Sequence, residues 1–206
     1  MDMTDVVGAV LVGGLVVFLV GAVFWRLDYE RPAEESLPLI HADRRRRAWI
    51  HVWMIAAMFI TPAGLFGLAQ LPELQDVAPA ATMAAVVYAI GAACMMAFLC
   101  FRLAVVPGAA ERTVADGKPP DGFAALETWA GSLYVVHMLA SYAVFALLGA
   151  TVLASAFFAP WSGWVGLGLG AAFLTGLVAT RFAGPFNPPF MAHLYPALLG
   201  VALLLT

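Results

Sequence analysis

Charge is scarce in this chain. Asp, Glu, Lys and Arg make up 11% of its 206 residues and hydrophobic types 63%, whereas soluble domains carry about 25% charged residues. That shortage excludes an ordinary water-soluble domain. Cysteine is nearly absent too. Cys94 and Cys100 are the only two, and six residues of helix hold them about 9 Å apart along the axis, too far for a disulfide. They read as packing residues. The apolar runs do not alternate with polar residues, which excludes a transmembrane β-barrel. Gly-x-Ser-x-Gly, His-Glu-x-x-His and phosphate-loop patterns are missing. Ser132 and His137, five apart, are turned roughly 140° from each other on a helix, so hydrolytic chemistry has no motif to rest on. Nucleic-acid binding has none either, because topology explains the single basic run, Arg44, Arg45, Arg46 and Arg47.

Basic residues are also missing from half of the polar gaps. The chain alternates apolar runs of about 20 residues, the length that crosses ~30 Å of hydrocarbon as helix, with short polar segments. Every second segment, with its edges, holds all ten basic residues: Arg26, Arg31, Arg44 to Arg47, Arg102, Arg112, Lys118 and Arg181. Basic flanks stay on the cytoplasmic side during insertion. The expectation is an all-α, polytopic integral membrane protein forming one transmembrane domain, 1–206, in the cell (inner or plasma) membrane. Its six transmembrane helices are expected near 6–25, 49–71, 82–101, 125–150, 161–180 and 188–206, with inner loops at 26–48, 103–123 and 182–187 and both termini outside.

Local signals refine this frame. Pro32 and Pro38 argue against a continuous helix in the first inner loop. Pro107-Gly108 and Lys118-Pro119-Pro120-Asp121-Gly122 read as breakers in the second. Gly149 reads as a bend near the end of the fourth span. The first apolar run has no basic residues before it, so it reads as a retained span rather than a cleaved leader. Arg44 to Arg47 read as a topology anchor beside Trp49 and Trp53. They also suit anionic lipid head groups, at ~1 kcal/mol per basic residue. Gly166 and Gly170 form a small-xxx-small pair, which suits packing within the bundle first and a homo-oligomer second. No internal repeat is present, which weakens the case for an inverted-repeat transporter.

Ionisable groups in hydrocarbon are costly and raise a functional question. Counted from the inner helix ends at 1.5 Å per residue, His51 lies at ~3 Å, His193 at ~8 Å and His137 at ~15 Å. His41 lies in a loop and reads as solvated. Two facing imidazoles suit axial ligation of a b-type haem, with His137 and His193 as the preferred pair and His51 as substitute. Gly131, Ser132, Ala140 and Ser141 would leave room for a macrocycle, and a serine would orient the imidazole proton. Copper is a second possibility: His51, Met54 and Met58 share a helix face, and Cys94, Met95, Met96 and Cys100 add soft atoms. Methionine is equally a filler of apolar cores.

Glu127, Arg102, Arg181, Asn187, His193 and Tyr195 fall near the inner interface and suit a polar pocket for a lipid head group or quinone ring, although Glu127 and Arg102 suit a simple ion pair as well. Asn187-Pro188-Pro189 lacks the second half-helix element that a water channel needs. The concrete expectation is an electron-transfer subunit binding b haem or quinone in its cytoplasmic half, packed against other membrane subunits or further copies of itself. The rivals are a transporter for a small solute, metal or proton, and a non-enzymatic accessory subunit. The nearly apolar outer halves count against a continuous polar path.

Overall fold

Helix α1 (Met3–Ala22) starts at a capping box. The Asp5 amide donates to the Asp2 carboxylate at 2.8 Å, and the Asp2 amide donates back to Asp5 at 3.2 Å, so two otherwise unpaired N–H groups are satisfied. The computed structural model describes residues 2–182 and 184–206; the side chain of Asp28 and all of Ala183, inside the expected turn 182–187, lie outside the description. After α1 come α2 (Ala33–Ala42), α3 (Arg44–Ala69), α4 (Ala78–Asp116), α5 (Phe123–Ala154), α6 (Pro160–Ala179) and α7 (Leu194–Leu204), joined by short 3-10 turns. The described residues are helical or irregular, with no strand.

Five helices are long and apolar enough to cross a membrane: α1, α3, α4 with its preceding turn, α5 and α6. The expected sixth span is shorter. It consists of the 3-10 turn Pro189–His193 followed by the 11 residues of α7, so its helix proper is only about 17 Å long, against about 30 Å for α1.

Expectations drawn from helix breakers are corrected at Pro107, Pro38 and Gly149. The first inner segment is, as expected, not one continuous helix, being interrupted at Pro32 and at Asp43. Pro107-Gly108 does not end α4, which continues to Asp116. A proline inside a helix loses one backbone bond and its ring crowds the carbonyl four residues back, and here packing of the continuation offsets that cost. Val106, Ala109, Ala110 and Thr113 are buried, and α2 lies against α4. The helix stops at Gly117, whose φ of 74° admits the left-handed cap and whose N–H donates to the Thr113 carbonyl. Pro38 likewise sits inside α2, where buried Leu37 and Ile40 anchor the helix. The first connection is therefore a packed amphipathic helix rather than a loop.

Gly149 does not bend α5, which runs through to Ala154. It is the point where α6 crosses. A Cβ there would lie 2.5 Å from the Leu167 amide nitrogen and 2.7 Å from the Gly163 carbonyl oxygen. Gly166 likewise leaves space for the ring of Tyr195, and Gly170 lies against Tyr142 and Ala146. The small residues of α6 thus serve packing inside the bundle. Side-by-side packing runs α7–α1–α3–α4–α5–α6, and a thinner α6–α7 contact closes the ring.

Gly149→Ala is expected to force α6 away from α5 and to lower stability in detergent by ~1–3 kcal/mol, the usual cost of overpacking. Gly168→Ala, whose Cβ would meet nothing within 4 Å, is expected to leave the melting temperature unchanged or raise it. Thermal melts of the two variants beside the native protein check this. Equal losses would contradict the close crossing.

Candidate functional site at the basic end of the bundle

The short α7 shapes the site. Where a sixth full-length helix would run, the described residues 181, 182 and 184–193 form a turn and two short 3-10 segments at the end of the bundle that carries the basic residues. Arg181 and Phe182 turn the chain with φ of 53° and 63°, and their amides donate back to the Val178 and Leu177 carbonyls. The left-handed region costs a non-glycine residue about 1 kcal/mol or more, so the surroundings must hold this turn. Two tyrosines of α5 secure the segment that follows: Tyr142 donates its hydroxyl to the Phe186 carbonyl at 2.7 Å, and Tyr134 donates to the Asn187 carbonyl.

Between this segment and the basic ends of α1, α3, α4 and α5 lies a cavity of about 740 Å³, within the range of small-molecule sites. Its walls are mostly apolar: Phe18, Ala22, Met54, Met95, Phe98, Leu99, Pro188, Pro189 and Phe190. Polar groups join them at Glu30, His51, Arg102, Tyr134 and Asn187, with Trp25 at the rim. Chain position orders this lining. Phe18, Met54 and Met95 lie deepest, while Trp25, Glu30 and Arg102 lie nearest the basic end.

His51 is fixed by its own helix. Its Nδ1 lies 2.5 Å from the Arg47 carbonyl oxygen, so Nδ1 donates. Arg47 itself is buried, its guanidinium 4.5 Å from the Tyr29 ring centre and 5.7 Å from that of Trp25, and its two terminal nitrogens have no hydrogen-bond partner. Behind it, the Tyr29 hydroxyl donates to Asp43 at 2.5 Å, and Arg26 and Arg46 lie 3.5 and 3.7 Å from the same carboxylate. Burial, helped by the bond to Asp43 and its charge, pushes the Tyr29 phenol up to about 12 against a weaker pull from Arg47 and Arg26. On α4, Arg102 pairs with Glu127 at 3.4 Å and sits over Phe98, with its Nε unpartnered.

Beyond the cavity, a second polar layer is fully enclosed. His193 Nδ1 lies 2.9 Å from the Thr61 hydroxyl and 3.2 Å from that of Tyr88, which donates to the Ala192 carbonyl at 3.3 Å. With the tyrosine proton committed there, Nδ1–H donating to the two hydroxyl oxygens satisfies the ring best. That leaves Nε2, buried and unpartnered, as a lone pair. Phe18 covers His193 at 4.8 Å between ring centres, and the Tyr88 ring lies 6.2 Å from His137 and 6.3 Å from His193. Neither nitrogen of His137 makes a well-formed hydrogen bond; the Gly91 backbone is the polar group that faces the ring.

The structure thus separates the sequence-derived candidates. His137 and His193 share one layer around Tyr88. His51 lies ten residues before Thr61 on α3, about 15 Å nearer the basic end, and is the histidine that lines the cavity. Met54 lines it too, partnered across the space by Met95 of α4; Met58 is buried outside it. Arg102 and Glu127 form the ion pair at the rim, and Asn187 faces the same space. Arg181 is exposed on the turn, outside the lining.

Tyr195 is displaced from the expected polar pocket. Because α7 begins already inside the bundle, its ring is buried against Phe145 and its hydroxyl donates to the Ser162 carbonyl at the opposite end of the protein. Ser141 donates to the His137 carbonyl at 2.8 Å, not to its ring, and Ser132 is exposed. Of the basic run, Arg44 and Arg45 are exposed and Arg46 half-buried, while Arg47 points inward. Among the described residues no three His, Cys, Asp or Glu side chains group closely enough to hold a metal ion. Sequence reading missed Trp25, Thr61, Tyr88 and Tyr134, and named Met95 only as a soft atom for copper. The signal for Tyr134 was present: tyrosines at 134 and 142 stand two turns apart on one helix. No family model, curated protein or solved structure matches the chain.

The raised Tyr29 pKa has a definite sign. The neutral phenol, favoured by burial and then by the bond to Asp43, contributes stability that is present below pH 10, the ordinary phenol value, and is lost as pH rises through about 12. In an ultraviolet titration in detergent, the native protein minus Tyr29→Phe is expected to show no phenolate at pH 10 and its rise only near pH 12. Ionisation of Tyr29 at pH 10 would contradict the buried pairing.

Proposed function

We propose that the chain is a six-helix protein of the cell membrane with both termini outside, the 16 residues from Pro189 to Leu204 serving as a sixth, shorter span. Its basic end faces the cytoplasm, and Arg44 and Arg45 meet anionic lipid heads there. The cavity at that end binds an aromatic amphiphile of the quinone class, and the protein serves electron transfer within a membrane assembly. The observation that carries this reading is the cavity of about 740 Å³, which joins an apolar, aromatic-rich interior to one histidine with a committed Nδ1 and an Arg102–Glu127 pair at its rim. A flat ring with polar oxygens and an apolar tail matches that distribution.

A second reading, b-type haem, is favoured by one observation of its own: His137 and His193 share Tyr88 as a neighbour, and each has an Nε2 without a well-formed hydrogen bond. Imidazole nitrogens with free lone pairs are what axial ligation uses. Against it, the cavity is lined by His51 and by neither of these two residues. The visible spectrum decides. A Soret band after haem-replete expression that is lost in His137→Leu supports haem; a colourless protein removes it.

The quinone reading is tested in nanodiscs by tryptophan fluorescence, since Trp25 lines the cavity. A short-chain benzoquinone is expected to quench emission saturably. Gly131 also lines the cavity, and a Cβ there meets nothing within 4 Å, so Gly131→Phe is expected to fill the space, keep the fold and weaken binding by about tenfold or more, roughly the worth of 1.4 kcal/mol. Quenching that is linear in quinone and unaffected by Gly131→Phe would sink the proposal.

A further inference from the structure

We infer that the cavity holds the reduced, hydroxyl-bearing form of its ligand in preference to the oxidised, carbonyl form, with His51 as the residue that tells them apart; this rests on the quinone-class reading above. The basis is the hydrogen-bond polarity of the cavity wall. His51 Nδ1 lies 2.5 Å from the Arg47 carbonyl oxygen, one turn back along α3. A carbonyl can only accept, so the hydrogen sits on Nδ1, and Nε2 of the neutral ring carries a lone pair. Among the described residues the hydrogen bond of the His51 ring is the one from Nδ1, and His51 is a cavity-lining residue.

Three donors of the wall are already committed, while the remaining N–H groups of Arg102 are open to a ligand. Trp25 Nε1 donates to Glu30 at 3.1 Å, the Tyr134 hydroxyl to the Asn187 carbonyl, and Arg102 Nη1 to Glu127 at 3.4 Å. Two wall atoms are buried without a partner: the Arg102 Nε donor and the Asn187 Oδ1 acceptor. The Asn187 amide can turn over to present either polarity, so it does not discriminate. The polarity of His51 is locked by backbone and does.

A hydroquinone oxygen both donates and accepts. It gives its hydrogen to His51 Nε2 while its lone pairs remain open to a donor such as Arg102 Nε. A quinone oxygen only accepts. It satisfies a donor on the wall, but against His51 it sets lone pair facing lone pair, with both groups out of water and unpaired. Leaving buried polar atoms in that state weakens binding roughly tenfold or more.

The test is isothermal calorimetry on the full chain in nanodiscs, with one short-chain benzoquinone and its hydroquinone kept reduced under anaerobic conditions. The hydroquinone is expected to bind at least about tenfold more tightly, and His51→Leu to bring the two affinities within about twofold. Equal affinities in the native protein, or a tighter quinone, would overturn the preference while leaving the quinone-class site standing. Binding of neither form would overturn the site itself. Should His51→Leu fail to fold, the ratio in the native protein alone still decides.

Discussion

A non-helical stretch inside an apolar bundle must find partners for its backbone carbonyls and amides within the protein, because hydrocarbon offers none. The described residues of the connection from Arg181 to His193 lack α-helix and form only turns and short 3-10 segments, and the hydroxyls of Tyr142 and Tyr134, donated to the carbonyls of Phe186 and Asn187, are what the rest of the site depends on. They let α7 begin late. Because it begins late, the first part of a sixth helix is missing at the basic end, and the space it would fill is the cavity. The same delay carries Tyr195 away from that end and into the groove that Gly166 leaves open, where its hydroxyl meets Ser162.

The polar groups around the cavity follow a gradient. Nearest the basic end, Arg47 is packed over Tyr29 and Trp25 while Asp43 collects Tyr29, Arg26 and Arg46. Arg47 also supplies the carbonyl that fixes the His51 ring, so one buried residue supports the aromatic floor with its side chain and sets the histidine's polarity with its backbone. Deeper, the wall turns apolar through Met54, Met95 and Phe18. Beyond that lies the enclosed layer of Thr61, Tyr88, His137 and His193, in which His193 Nε2 has no hydrogen-bond partner. A ligand with a polar head and an apolar body matches the first two zones. The third is separated from it by the Phe18 ring over His193.

Much of the frame was legible in the sequence because it rests on local composition. Apolar length gave five of the helices, and scarcity of charge excluded soluble classes. Breaker residues misled wherever packing outweighed them. Pro107 and Pro38 sit inside helices because each removes one backbone bond while Val106, Ala110, Leu37 and Ile40 bury several apolar groups. Gly149 reads the same in a bend as in a close helix crossing, and only the position of α6 tells them apart. Depth counted from helix ends placed His51 nearest the basic end. It could not anticipate that His193 precedes a shortened helix and so shares a layer with His137. Arg47 had the identity of its exposed neighbours and differed only in facing Trp25 and Tyr29, a consequence of helix phase and of a 3-10 turn that composition does not reveal.

The central claim is that the space left by the late start of α7 is a ligand site. Photoaffinity labelling in nanodiscs with an azido-quinone, followed by peptide mapping, tests it most directly. Labels are expected to concentrate on Phe98–Arg102, Gly131–Tyr134 and 184–190, and to be displaced by excess unlabelled hydroquinone. Labels spread over exposed apolar residues such as Phe59, Ile90 and Trp164, without displacement, would contradict it.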